Sequence, residues 1–181
     1  IFDGLVTRVT SVDGLAVDDP FDGNEFVLAP GNRIDVEFVM PDSVVAVDDD
    51  FNGEGYRLGT LVPHGARRST DVSAAPPRPF VAMSDGSVAP DPDHVYTLDF
   101  LEVDGSPAWG MNERTLPDAD TWMLELGAIS TARLVNRSQA IHPIHVHGQF
   151  FRVVAVDGIV VDEGFTRDTV LVWPGQSIDI A

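Results

Sequence analysis

In the stretch RIDVEFVM, residues 33–40, polar and apolar residues alternate from Arg33 to Phe38: Ile34, Val36 and Phe38 fall on one face, Arg33, Asp35 and Glu37 on the other. A period of two is the pattern of a half-buried β-strand. The preceding APGN, residues 29–32, supplies a turn. Working outward, the same short alternation recurs on both sides. GLVTRVTSVDG (4–14) and GYRLGTLV (55–62) flank it, and a second group follows: HVYTLDFLEVDG (94–105), TWMLELG (121–127), STARLVNRS (130–138), HVHGQFFRVVAVDG (145–158) and DTVLVWPGQSIDIA (168–181). Sixteen glycines and 13 prolines punctuate these runs, and no helical periodicity is sustained anywhere. The pattern predicts an all-β chain with turn spacings typical of a sandwich. Residues 63–93 lack a period, are rich in Pro, Ser, Ala and Asp, and carry Pro76, Pro77 and Pro79. They read as a linker between one β region over 1–62 and another over 94–181.

Composition narrows the function classes. Acidic residues number 29 against 11 basic ones, all of them arginine, for a formal charge of −18. A field of that sign repels nucleic acid and anionic lipid. An Asp-rich surface without lysine also suits high salt, where screening removes the self-repulsion. No apolar run approaches the roughly 20 residues of a membrane-spanning helix. The start, IFDGLVTRV, has neither an initiator Met nor a basic segment leading an apolar one, so it does not read as a signal peptide. The expectation is that the chain is a piece of a longer one, because it begins and ends inside strand-like runs.

The chemistry-bearing segment is HPIHVHG, residues 142–148, which holds three of the five histidines. In an extended strand His145 and His147 project to one side, roughly 6 to 7 Å apart. The odd offset from His142 and the intervening Pro143 direct the first imidazole elsewhere. Gly148 suits the close approach of a backbone or ligand. A lone histidine is most often a surface or hydrogen-bonded core residue, and His64 and His94 are read that way. Three clustered imidazoles need several partners if buried, whereas a metal satisfies them directly. Imidazole suits zinc, copper, nickel and iron alike. A cupin would want a glutamate shortly after the His-x-His pair, where Phe151 and Arg152 stand. A metallo-hydrolase would want Asp-His just beyond it, where Gly148 and Gln149 stand.

LVNRSQAIHPIHVHGQFFRVVAVDG (134–158) followed by FTRDTVLVWPGQSIDI (165–180) closely resembles the third cupredoxin domain of the multicopper oxidases, the family of laccases, bilirubin oxidases and cuprous oxidases. EFVLAPGNRIDVEFVMP resembles the closing strands of their second domain, and AWGMNERTLPD (108–118) resembles their F-x-I-N-G segment. The resemblance implies cupredoxin-like Greek-key β-sandwiches in two partial domains, the end of the second over 1–62 and most of the third over 94–181. It implies copper as cofactor, with His142 as the type 1 ligand, His145 as the type 2 ligand and His147 as a type 3 ligand. It implies one-electron oxidation of a phenol-like or metal-ion substrate coupled to reduction of dioxygen to water, and a periplasmic or secreted location. The family also draws ligands from its first domain and from a late His-Cys-His segment, neither of which stands in this sequence, so the chain alone is expected to be inactive. A copper-free scaffold of cupredoxin type is the alternative, against which the retention of all three histidines speaks.

Weaker signals remain. DDDFNGEGYRLG, Asp48 to Gly59, matches the first half of a calcium loop, but the twelfth position is Gly59 rather than the bidentate glutamate; an acidic hairpin turn is the favoured reading. Asn136–Ser138 forms a glycosylation sequon read here as a structural strand end. Arg67 and Arg68 read as a solvated pair, and Trp109, Trp122 and Trp173 as core or rim aromatics.

Overall fold

The computed structural model describes residues 1–66, 76, 82–119 and 121–181. Among the described residues there are fourteen strands: β1 Thr7–Val12, β2 Leu15–Gly23, β3 Ile34–Glu37, β4 Val45–Asp49, β5 Tyr56–Leu61, β6 Ala82–Val88, β7 His94–Val103, β8 Ser106–Met111, β9 Ala132–Asn136, β10 His142–His145, β11 Val153–Val156, β12 Ile159–Asp162, β13 Thr169–Val172 and β14 Ser177–Ile180. The one helical element among the described residues is a 3-10 turn, Phe51–Gly53. The architecture is all-β, with cupredoxin-like β-sandwich sheets.

Turn chemistry explains much of the strand pairing. Three Val-Asp-Gly tripeptides each make a two-residue hairpin loop: Asp13-Gly14 joins β1 to β2, Asp104-Gly105 joins β7 to β8, and Asp157-Gly158 joins β11 to β12. Both central residues have positive φ in each case, 50° and 88°, 52° and 76°, 50° and 78°. Asp-Gly tolerates that geometry, whose twist matches the flanking strands.

In the N-terminal region β1 lies between β2 and β3, and β4 pairs with β5. The C-terminal region is a seven-stranded sheet ordered β6-β12-β11-β14-β9-β7-β8, with β10 and β13 forming a separate antiparallel ribbon. The pair β7–β9 is parallel. A fork of two 2.7 Å hydrogen bonds from Arg133 to Asp179 crosses the β9–β14 ladder. The ribbon packs on the sheet through one core: Val170 and Val172 of β13 meet Leu98, Leu134, Val153, Ile178 and Ile180. Truncating a side chain as enclosed as Leu98, 1% exposed, costs about 2–5 kcal/mol. A second, smaller core gathers Val9, Val12, Val17 and Phe21, and Phe165 completes it from the C-terminal region. Phe21 and Phe165 stack with ring centroids 6.1 Å apart.

Several expectations change. Residues 63–93 are not linker throughout, because β6 pairs with β12 on the edge of the large sheet. Arg67, Arg68, Pro77 and Pro79 lie outside the described residues. The run 121–127 forms no strand; Trp122 packs on the core while Met123 and Leu126 stand exposed. Asp48 is paired with Arg57 across the β4–β5 hairpin, which accords with the acidic-turn reading of that segment.

Candidate metal centre

The motif HPIHVHG is divided between a strand and a turn. β10 carries His142, Pro143, Ile144 and His145, paired in register with Val172, Leu171, Val170 and Thr169 of β13. Pro143 therefore joins the ladder rather than interrupting it. Among the described residues β10 has β13 as its one ladder partner, and a proline, which cannot donate, is tolerated on such an edge strand.

His142 and His145 occupy different surroundings, as the odd offset predicts. The His142 ring is 4% exposed. Trp109 of β8 meets it edge-on at 4.6 Å between centroids, and Phe100 backs Trp109 at 4.8 Å. His142 and Trp109, together with Met111, Leu116, Pro143 and Ile144, line an apolar recess. That recess is shaped by an uncommon backbone, since Asn112 and Glu113 both have positive φ. Asp99 holds this turn by accepting from Glu113 N at 2.8 Å, and Asn112 Oδ1 accepts from Thr97 N at 2.8 Å.

On its inner side, His142 Nε2 lies 2.8 Å from Ser138 Oγ. The Ser138 hydroxyl has one proton and two oxygen acceptors in reach, Asn136 Oδ1 at 2.9 Å and Ala140 O at 3.1 Å. Where that proton goes to one of these oxygens, Oγ accepts from Nε2–H, and Nδ1 is the His142 nitrogen with a free lone pair. Asn136, buried at the end of β9, fixes this bend by donating to Ala140 O and Val172 O and accepting from Ser138 N. The sequon asparagine is thus wholly occupied inside the fold. Burial holds the His142 imidazole below its ordinary pKa, which keeps it in the neutral form that binds metals.

His145 and His147 come together. Their ring centroids are 4.9 Å apart, edge to face. The expected strand alternation is not the cause, because β10 ends at His145. The chain turns at His147 and Gly148, and Gly148 has φ 73° with open space where a Cβ would stand. Its glycine is required by the turn rather than by a close neighbour.

The His145 tautomer can be deduced. Nδ1 lies 3.1 Å from Asp168 O, 2.9 Å from Thr169 Oγ1 and 3.3 Å from Asp168 Oδ1. A carbonyl only accepts. The Thr169 hydroxyl gives its proton to Asp168 Oδ1 at 2.7 Å, so it too accepts from the ring. Nδ1 therefore carries the proton and Nε2 the lone pair. The Asp168 carboxyl is itself held down to about pKa 2, first by the Arg33 guanidinium.

This donor set fits copper. His142 and His145 each have one ring nitrogen hydrogen-bonded and the other available, the arrangement that orients metal-binding imidazoles. Among the described residues no three His, Cys, Asp or Glu side chains gather to hold an ion. The described residues thus place imidazoles on two sides rather than in one complete cage. His64 and His94 join neither; His94 starts β7, stacks near Tyr96 and meets Trp122 edge-on. Reasoning from sequence named the histidines but missed Ser138, Asp168 and Thr169. A polar triplet such as Arg167-Asp168-Thr169 entering the apolar strand β13 was the available signal.

Residues 88–181 match the family model described as multicopper oxidase. The chain belongs to the multicopper oxidase family. It is 24% identical over 185 residues to the multicopper oxidase MmcO of Mycobacterium tuberculosis, covering 97% of this chain and 36% of that protein. The crystal structure of Lac15 from a marine microbial metagenome superposes with a TM-score of 0.66 at 28% identity, over 99% of this chain and 43% of that one. The laccase-like multi-copper oxidase CueO from Ochrobactrum sp. gives a TM-score of 0.71 at 21% identity, over 98% and 44%, a likeness of fold. The chain therefore spans less than half the length of these relatives.

Proposed function

We propose that this chain forms part of a copper-dependent oxidoreductase that oxidises a phenol-like molecule or a metal ion one electron at a time and reduces dioxygen to water. In this reading His142 is the type 1 ligand, His145 the type 2 ligand and His147 a type 3 ligand. Residues 1–62 are the closing part of one cupredoxin domain, and residues 94–181 most of the next, in a periplasmic or secreted protein. Copper supplies the electron acceptor at one site and the dioxygen-binding centre at the other.

The observation that carries the reading is the division of the three imidazoles. His142 faces an apolar recess beside Trp109, while His145 and His147 pair in a polar, exposed corner. A single metal would want all three together; electron entry separated from dioxygen reduction wants them apart. The protein's own residues orient the rings, Ser138 and Asn136 at His142, Asp168 and Thr169 at His145. The low-polarity recess limits water around His142.

The test uses the full-length protein that contains this chain, loaded with copper. Oxygen consumption with a phenol or cuprous ions should be abolished by His142→Ala, His145→Ala and His147→Ala separately. His142→Ala should alter the blue thiolate-to-copper absorption, whereas His147→Ala should spare it. Loss of the blue band in all three variants alike, or oxidation surviving in any of them, would refute the assignment of roles. The 181-residue chain alone should consume no oxygen.

A further inference from the structure

Asp168 and Thr169, which accept the Nδ1 proton of His145, are themselves held from the other end of the chain. Asp13, in the β1–β2 hairpin, is 1% exposed. Its carboxylate accepts from Asp168 N at 3.0 Å, Thr169 N at 3.2 Å, Arg33 N at 2.9 Å and Asn32 Nδ2 at 3.0 Å. Asn32 Nδ2 also donates to Thr169 O at 2.8 Å. Arg33 forks onto Asp168, Nη1 to Oδ1 at 3.2 Å and Nη2 to Oδ2 at 2.9 Å. The second N–H of Nη1 and of Nη2 anchors the guanidinium to Gly31 O and Asp13 O respectively, each at 2.7 Å.

We propose that Asp13 and Arg33 are positioning residues for a metal ligand: they hold Asp168 and Thr169 where these accept the Nδ1 proton of His145, and so fix Nε2 as the nitrogen offered to copper. The inference rests on the copper reading of His145. Magnitudes favour a positioning role for Arg33 over a role in stability alone. Its side chain is 54% exposed, and an ion pair that open to water is screened and adds little to stability. Its geometric effect is larger, because the fork removes the freedom of the Asp168 carboxylate to rotate away from Thr169 and His145. Asp13 performs the complementary task on the backbone. It binds two successive N–H groups at the start of β13, opposite His145 in the β10–β13 register.

The tautomer can be read directly. In the 15N-labelled full-length protein that contains this chain, prepared without metal, long-range proton–nitrogen correlation spectra report which ring nitrogen of each histidine is protonated. His145 should appear as one tautomer with the proton on Nδ1. Arg33→Ala should turn it into a mixture, Asp13→Asn should do the same, and Arg33→Lys, which keeps the charge without the fork, should fall between wild type and Arg33→Ala. Arg152→Ala, which removes an exposed ion pair with Asp18, should leave the pattern as in wild type. Dispersed backbone amide signals identify the variants that remain folded, and Arg33→Lys, the mildest change, decides the matter if the others do not. A wild-type ring protonated on Nε2, or folded Arg33 and Asp13 variants with unchanged His145 signals, would overturn the proposal. A parallel titration with copper ions should broaden the His145 signals and show affinity about 10-fold weaker in Arg33→Ala. If copper leaves the wild-type His145 untouched, the copper reading fails, while the tautomer result still decides whether the clamp exists.

Discussion

Replacing Glu163 by Gln should be among the most damaging conservative changes in this protein. Glu163 and Arg167 are 2% and 4% exposed, and Arg167 Nη2 donates to Glu163 Oε1. The other carboxylate oxygen accepts from Val153 N at 3.1 Å, and the guanidinium lies 5.1 Å from the centre of the Phe165 ring. Glutamine keeps the shape and the acceptor but removes the charge facing the guanidinium. Breaking one side of such a buried pair costs about 3–5 kcal/mol. With a urea dependence of about 2 kcal/mol per molar, the unfolding midpoint should fall by roughly 1.5–2.5 M. The double replacement Glu163→Leu with Arg167→Met removes both desolvation penalties and should recover most of that loss, since well-packed apolar substitutes are neutral or better. Urea unfolding at about pH 8.5, where the carboxyl is ionised, measures all three. Burial pushes Glu163 from 4.5 up to about 7, against the pull of Arg167, and on its own would make the neutral glutamine the milder occupant; the direct Arg167 contact and the Val153 hydrogen bond decide instead for the charged pair. A single-variant loss below about 1 kcal/mol, or a double variant as costly as the sum of its parts, would refute the reasoning.

Asp168 has the opposite sign: its carboxyl is depressed from 3.8 to about 2, so its stabilisation is complete above pH 3.8 and fades toward pH 2. Arg33→Ala should shrink that acid limb, as measured by thermal unfolding across pH. Asn136→Ala should cost about 2 kcal/mol or more, because the Ala140 and Val172 carbonyls lose a buried donor; an unchanged melting temperature would contradict this. The −18 charge should make the fold more stable in molar sodium chloride than at low ionic strength. A sulfate salt at equal ionic strength separates screening from exclusion at apolar surface.

Local periodicity made the all-β class legible, and within RIDVEFVM the four residues Ile34–Glu37 became β3. The strand opening at His94 was equally plain. β6 was not, because Ser84, Asp85 and Gly86 break the apolar alternation, and its strand state comes from backbone pairing with β12. The run TWMLELG misled in the other direction, being apolar but without a ladder partner. At the site, spacing alone separated His142 from His145, since strand parity is a local property. What surrounds them was hidden, because Asp13 meets Asp168 across 155 residues of sequence and no short-range pattern announces such a meeting.

β6 has a consequence for how the molecule tolerates cleavage. A protease cutting between Leu61 and Ala82 would leave β6 attached to the C-terminal piece, where it continues to cover the edge of β12, so that piece would not acquire an open edge prone to aggregation. The two pieces would still be joined by the Phe21–Phe165 stack and the bonds from Asp13 to β13. Covalent continuity at that point is thus separable from structural integrity, and a nicked molecule should migrate as two bands under denaturing conditions while eluting as one species under native ones.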